Sequence, residues 1–413
     1  MFRRLRKKVH QWIPGIISGG ADNDPAAITT YAVSGAQFGF GQLWLVVWAT
    51  PMLIAVQAMC ARLGAIKHKG LTSIIKEHYS PVFVIIAAGI LVVANILTIG
   101  ADLAGVAEAA GLVTNTQYVY WVIPVALLIW YIVVFKNFAV MRRYLLWLNI
   151  AFFAYIVASL LAKPNWGAVF YNMVIPTISF NFKFLVASVG LLGTTITPYI
   201  FFWQAQEEVE ERKSASERMV ESKEEDALLA PGFIFSNVIS IFIMIATATV
   251  LNQRGLHDIS TAGQAALALE PFAGPLAKYL FGIGIIGAGL LAIPVLAVSA
   301  SAAIAEVFGW RESLSDKLDK ARGFYTIITA SLLVGIAIAL LRIDPIKALF
   351  YSQVIDGLLG PILIIMILFM CNDRKLMGAS INRWFDNLFG WAAVVVMVLS
   401  SIGLFWQLFL VRG

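Results

Sequence analysis

Gly19-Gly20-Ala21-Asp22-Asn23-Asp24-Pro25-Ala26-Ala27 lies inside an otherwise apolar run from Trp12 to about Gly35. The run is long enough to cross a bilayer, yet two carboxylates, a proline and small residues interrupt it. An intramembrane carboxylate is costly unless it faces a cavity, a partner or a cation. Pro25 donates no backbone hydrogen bond and disfavours helix at Asp24. The stretch therefore reads as a broken helix, with bare carbonyls and a carboxylate at the break, which is a cation site by default. The alternative is a merely kinked helix with a snorkelling or protonated aspartate.

The rest of the chain supplies the membrane context. It is 60% apolar and 13% charged, with a mean hydropathy of +0.82, the composition of an all-α polytopic membrane protein. Hydropathy predicts about eleven transmembrane helices, at 13–35, 42–64, 82–106, 118–135, 144–162, 184–205, 228–251, 277–306, 323–341, 346–371 and 390–411. The end of the third carries Asp102. Connections are short, so one membrane domain is expected. Of the 30 Lys and Arg residues, 23 fall on one side if the N-terminus is cytoplasmic. That asymmetry orients the chain with its N-terminus inside and Arg412-Gly413 outside. The net charge of +6 is spread over loops between spans and is no nucleic-acid signal. The basic N-terminus lacks a small-residue cleavage site, so the first span reads as retained. Cys60 and Cys371 sit in apolar segments without CxxC spacing and read as packing residues. Compact loops suggest a prokaryotic plasma (inner) membrane.

A second interruption lies half a chain later, at Leu191-Leu192-Gly193-Thr194-Thr195-Ile196-Thr197-Pro198-Tyr199. Threonine hydroxyls and freed carbonyls are hard oxygen ligands. Paired breaks in corresponding spans of two halves point to an inverted-repeat transporter with a midplane site. Here the pair is spans one and six, broken at Pro25 and Pro198. This predicts a five-plus-five repeat, approximately 13–162 and 184–371, with an extra helix at 390–411.

These residues resemble the NRAMP family of divalent metal transporters. Family members carry Asp-Pro-Gly-Asn in span one and Ala-x-x-Met-Pro-His in span six. This chain reads Asp24-Pro25-Ala26-Ala27 and Thr194-Thr195-Ile196-Thr197-Pro198-Tyr199. Ala101-Asp102-Leu103-Ala104 is similar to the family's Asp-Leu-Ala-Glu, with Gly105 where the Glu stands, and Ser352-Gln353-Val354 followed by Pro361 matches span ten. The resemblance implies a leucine-transporter-like fold working by alternating access. It implies metal ligation through Asp24 and the carbonyl of Thr194, with Gln353 as a ligand in an occluded state. The family's Asn and Met positions are Ala27 and Thr197. Loss of the thioether leaves oxygen ligands, and small residues leave room for the waters that magnesium keeps. Asp22 and Asn23 could contact those waters. The pattern is closest to the NRAMP-related magnesium transporters, so Mg2+ is the expected substrate and Mn2+ the second. No cofactor is expected beyond the transported metal. The family's proton-route His and Glu are Tyr199 and Gly105 here, which implies weak or absent proton coupling. Asp102 remains, with Arg322 as a possible distant partner, and Asp356 as a gating or interhelical candidate.

Other expectations follow from position alone. The charged loop Gln206–Asp226 reads as a solvated cytoplasmic helix rather than a regulatory metal sensor, and Glu306 as wetted at the end of span eight. Gly282, Gly284, Gly287 and Gly289 read as a packing face. No phosphate loop, HExxH or GxSxG is present, so an enzyme is not expected. The rivals are a proton-coupled Mn2+/Fe2+ transporter, an organic-solute transporter on the same fold, and a channel. Partners are the metal ion and the lipid bilayer. The oligomeric state is left open, with a monomer compatible.

Overall fold

The computed structural model of the chain describes residues 19–20, 22–135, 153–214, 222–310, 320–341 and 343–411. Parts of the expected spans 13–35 and 144–162, and the middle of the 206–226 loop, lie outside the described residues. The described elements are helical throughout. In chain order they are α1 (Pro25–Phe38), α2 (Leu43–Lys67), α3 (Leu71–His78), α4 (Pro81–Thr114), α5 (Val119–Phe135), α6 (Phe153–Leu161) and α7 (Trp166–Val174). Then follow α8 (Phe182–Thr195), α9 (Pro198–Ser214), α10 (Ser222–Val250), α11 (Ala277–Phe308), α12 (Arg322–Ala339), α13 (Pro345–Asn372) and α14 (Trp384–Trp406). Among the described residues, eight helical stretches are long and apolar enough to cross a membrane, and Val119–Phe135 is a shorter apolar one. Their outward faces carry large exposed apolar side chains such as Ile85, Leu333 and Leu399, the surface a bilayer covers.

Both expected breaks are present. Pro25 opens α1, with Asp24 as its extended N-cap. Span six divides into α8 and α9, separated by Ile196 and Thr197, with Pro198 at the first position of the second half. The α8 half is drawn against α13 by glycine. A Cβ on Gly193 would collide with the carbonyl oxygen of Gln353 and the amide nitrogen of Gly357. Only a residue without a side chain permits that approach. Gly282 and Gly289 likewise bring α11 onto Val113 and Val106 of α4. Gly284 faces open space, so the packing face is narrower than the four glycines suggested.

Several boundaries and burials differ from expectation. The third span is a single 34-residue helix, so Asp102 stands in its interior and not near its end. Nothing in the Gly105–Gly111 segment breaks the helix, which stops only at the left-handed C-cap Asn115. The eleventh span begins at Trp384, where the Arg383 N–H donates to the Asp386 carboxylate at 3.0 Å and closes the first turn. The start of the charged loop is not solvated. Gln206, Glu207 and Glu208 are buried, because α9 continues past its apolar part while enclosed by α2, α3 and α11. Glu306 is also buried and not wetted, with 6% exposure. Helix α3 folds beneath the end of α11, and the Ser73 N–H donates to the Glu306 carboxylate at 2.5 Å.

Candidate cation site

The site forms where the two breaks meet. Pro25 removes one backbone donor from the start of α1 and leaves the next N–H groups without helical acceptors. Two carboxylates take them. Ala27 N–H donates to Asp24 Oδ1 at 2.5 Å, and Ala26 N–H donates to Asp102 Oδ1 at 3.1 Å. The positive end of α1 thus faces both acids.

The span-six break supplies the opposite wall. The Tyr199 hydroxyl donates to Asp24 Oδ2 at 3.3 Å. The Thr197 hydroxyl lies 2.7 Å from the Thr194 carbonyl and 3.1 Å from Asp22 Oδ1. Its single proton can serve only one of the two, so the other oxygen keeps a lone pair for a further partner. Ser236 Oγ is 3.5 Å from the second oxygen of Asp22. Asp22, Asp24, Thr194 and Thr197 are each at most 2% exposed. Thr194 Oγ1, Asp102 Oδ2 and both amide atoms of Gln353 are buried without a hydrogen-bond partner. Native interiors rarely leave such groups orphaned. These four stand at and beside the breaks, although others are spread through the bundle, such as those of Gln57 and Asn382.

The donors are oxygens. Among the described residues no three carboxylate, His or Cys side chains converge to cage an ion. The oxygens gathered here belong to carboxylates, a backbone carbonyl and hydroxyls, a set of the kind that suits a hard ion with water.

The expected site residues divide accordingly. Asp22, Asp24, Thr194, Thr197 and Tyr199 are brought together, and Gln353 adjoins them through the Gly193 contact. Ala27 contributes its N–H to Asp24, and its methyl leaves space. Asn23 is turned away: its amide donates to Ser236 Oγ at 3.0 Å, and Ser240 donates to its carbonyl oxygen at 3.2 Å. The Asn23 side chain therefore anchors the break to α10. Asp356 accepts from Thr98 on α4 at 3.4 Å, an interhelical contact. Arg322 is not a partner of Asp102. It is exposed at the start of α12, whereas Gly335 of that helix packs on Gly100, near Asp102. Thirteen residues of helix, about 20 Å, separate the two levels. Sequence reading missed Ser236 and Ser240. Their i,i+4 spacing in an otherwise apolar span marks one polar face, the available signal.

Two interrupted helices meeting at a buried, oxygen-rich midpoint of an all-α bundle define a multi-pass membrane transporter with a leucine-transporter-like fold. The sequence model of the family described as natural resistance-associated macrophage protein-like (Nramp) matches residues 15–407. The chain belongs to the Nramp family. Its fold is similar to that of the Eremococcus coleocola manganese transporter in complex with an aromatic bis-isothiourea substituted compound, at 18% identity and a TM-score of 0.76. That match covers 98% of this chain and 87% of the other. A histidine-to-alanine mutant of the same transporter matches at 17% identity and a TM-score of 0.71, over 96% of this chain and 86% of that one. Mhp1, a nucleobase-cation-symport-1 family transporter, matches in a closed conformation at 14% identity and a TM-score of 0.64, covering 96% and 90%.

Proposed function

We propose that the chain imports hard divalent cations, Mg2+ in preference to Mn2+, by alternating access between the two breaks. The observation that carries this reading is Thr197. It occupies the position of the family's thioether, and its hydroxyl lies within hydrogen-bond reach of Asp22 and of the Thr194 carbonyl. An all-oxygen wall with a threonine in place of a methionine favours ions that prefer oxygen and retain water. Asp24 carries the charge, Asp22 and the Thr194 carbonyl complete the wall, and Gln353 closes it from α13. The proposed repeats are approximately 13–162 and 184–371. The basic end, with Arg62, Lys67 and Arg374, faces the cytoplasm of a prokaryotic cell, as the positive-inside rule requires.

The test is uptake of Mg2+ into proteoliposomes, with Mn2+ and Ca2+ as competitors. Saturable Mg2+ uptake inhibited by Mn2+ supports the reading. Mn2+ uptake indifferent to excess Mg2+ returns the substrate to the transition metals, and no uptake of either ion reopens the organic-solute alternative. Thr197→Met should lower Mg2+ uptake by about tenfold and raise competition by Cd2+, since one soft ligand replaces a hydroxyl and its water. A thermal melt of the variant separates this from overpacking, and unchanged Cd2+ inhibition in a folded variant would sink the selectivity argument.

Uptake is driven by the membrane potential. The hydroxyl beside Asp24 is a phenol, whose ordinary pKa of about 10 makes it a poor proton carrier at neutral pH. A potential of 100 mV contributes about 2.3 kcal/mol per charge, roughly twice that for a divalent ion. Metal uptake should therefore leave the liposome lumen pH unchanged and respond to an imposed potential. Stoichiometric acidification would restore the proton-coupled alternative.

A further inference from the structure

Asp22 stands in the turn before α1, where no helix fixes the direction of its side chain. Hydroxyls hold its carboxylate from two sides. Thr197 of the span-six break lies 3.1 Å from Oδ1, and Ser236 of α10 lies 3.5 Å from Oδ2. Ser236 and Ser240 are one turn apart on α10 and present their hydroxyls on one face. The Asn23 amide sits between those two hydroxyls. Asp22, Asn23, Ser236 and Ser240 are each at most 2% exposed.

One acceptor sets the direction of these hydrogen bonds. The Ser236 carbonyl lies 3.5 Å from the amide nitrogen of Asn23, and a carbonyl oxygen only accepts. The Asn23 amide group therefore turns its nitrogen toward Ser236 and donates to the hydroxyl oxygen at 3.0 Å. Its own carbonyl oxygen faces Ser240, which donates to it at 3.2 Å. With a proton arriving from Asn23, the Ser236 hydroxyl points its single hydrogen at another acceptor, and Asp22 Oδ2 is the one in reach. The bonds thus run one way, from Ser240 through Asn23 and Ser236 to Asp22. Groups linked in such a chain polarise one another, which strengthens the last donor.

We propose that Ser236 is a positioning residue for the transported ion, and that with Ser240, acting through Asn23, it aims the Asp22 carboxylate into the break. Each Asp22 oxygen receives one hydroxyl and keeps a lone pair open. Water bound to a cation is a hydrogen-bond donor, and Asp22 held in this way accepts from it. Magnesium keeps more of its water than other divalent ions do, so the arrangement acts most strongly on magnesium. Asn23 is then the link that orients Asp22 and touches neither the ion nor its waters. The inference rests on the divalent-cation reading above.

The experiment is uptake kinetics of the full-length protein in proteoliposomes at a fixed potential, for Mg2+ and for Mn2+ separately, with a thermal melt of each variant. Ser236→Ala should raise the KM for Mg2+ by about tenfold, the lower end of the loss when an outer-shell partner of a metal site is removed. The KM for Mn2+ should rise by less than about threefold, with the maximal rate for both ions within about twofold of native. Ser236→Thr keeps the hydroxyl and should restore the native KM. Ser240→Ala acts one bond further from Asp22 and should raise the Mg2+ KM by about threefold. A serine that served only packing would instead lower the melting temperature and reduce the maximal rate for both ions alike, and that result overturns the inference. If Ser236→Ala does not fold, Ser240→Ala decides alone: a raised Mg2+ KM supports the positioning role, and an unchanged one overturns it. An unchanged Mg2+ KM in a folded Ser236→Ala, beside native Mg2+ uptake, overturns this inference and leaves the proposed function standing. A native chain that transports no Mg2+ overturns both.

Discussion

Replacing Asp24 by Asn should reduce divalent-metal uptake to background while leaving the protein folded. Asp24 has two separable roles. As the N-cap of α1 it accepts the Ala27 N–H, and asparagine caps as well as aspartate. As an anion it is the proposed ligand of the transported ion, in a site where it is 1% exposed. Two unit charges about 4 Å apart interact by about 4 kcal/mol at an effective dielectric of about 20. A divalent ion doubles that, so loss of the charge costs occupancy on the order of a thousandfold or more. Asp24→Ala should lose uptake equally and also lose about 1 kcal/mol of stability with the cap. The comparison is made with proteoliposome flux and thermal unfolding of both variants. Uptake by Asp24→Asn within threefold of native would mean that the ion does not depend on this carboxylate.

Arg62→Met should be the most destabilising single change at the basic end. Arg62 Nη2 and Asp386 Oδ2 are 2.7 Å apart, with side chains 3% and 7% exposed. The pair joins α2 to α14, the helix beyond the repeat, and Asp386 also accepts the Arg383 N–H at 3.0 Å. Removing only the arginine strands a buried carboxylate, at a cost of about 3–5 kcal/mol. The double replacement Arg62→Met with Asp386→Leu should recover most of the loss, because an apolar pair of similar volume incurs no desolvation penalty. Detergent thermal melts of the native chain, both single variants and the double variant check this. A loss below about 1 kcal/mol for Arg62→Met would show that water reaches the pair and that α14 is held by apolar packing instead.

Much of the fold was legible because it depends on local properties. Span positions follow from hydropathy over about 20 residues, which is what a bilayer measures. The breaks follow from Pro25 and Pro198, which lack an N–H wherever they are placed. Asp24 was legible for a related reason, since a carboxylate next to a helix-breaking proline in an apolar span needs a partner that the span does not contain.

The pairing of polar groups was not legible. Asp22, Asn23 and Asp24 are adjacent in the chain, yet Asp22 and Asp24 face the span-six break while Asn23 bonds to Ser236 and Ser240 of α10. Asp102 resembled a coupling residue awaiting a basic partner, and its partner is the Ala26 N–H, 76 residues away. Glu207 and Glu306 looked solvated in a charged context and are buried by helices that fold across them. Each outcome depends on which helix packs alongside and on its rotation about its axis. A rotation of about 100° per residue sends neighbouring side chains to different partners, and hydropathy averaged over a span does not record it. The sequence by itself determined the spans and the two breaks, because proline geometry and bilayer thickness act locally. The tertiary structure alone decided which carboxylates meet the span-six break, because that choice is made between helices.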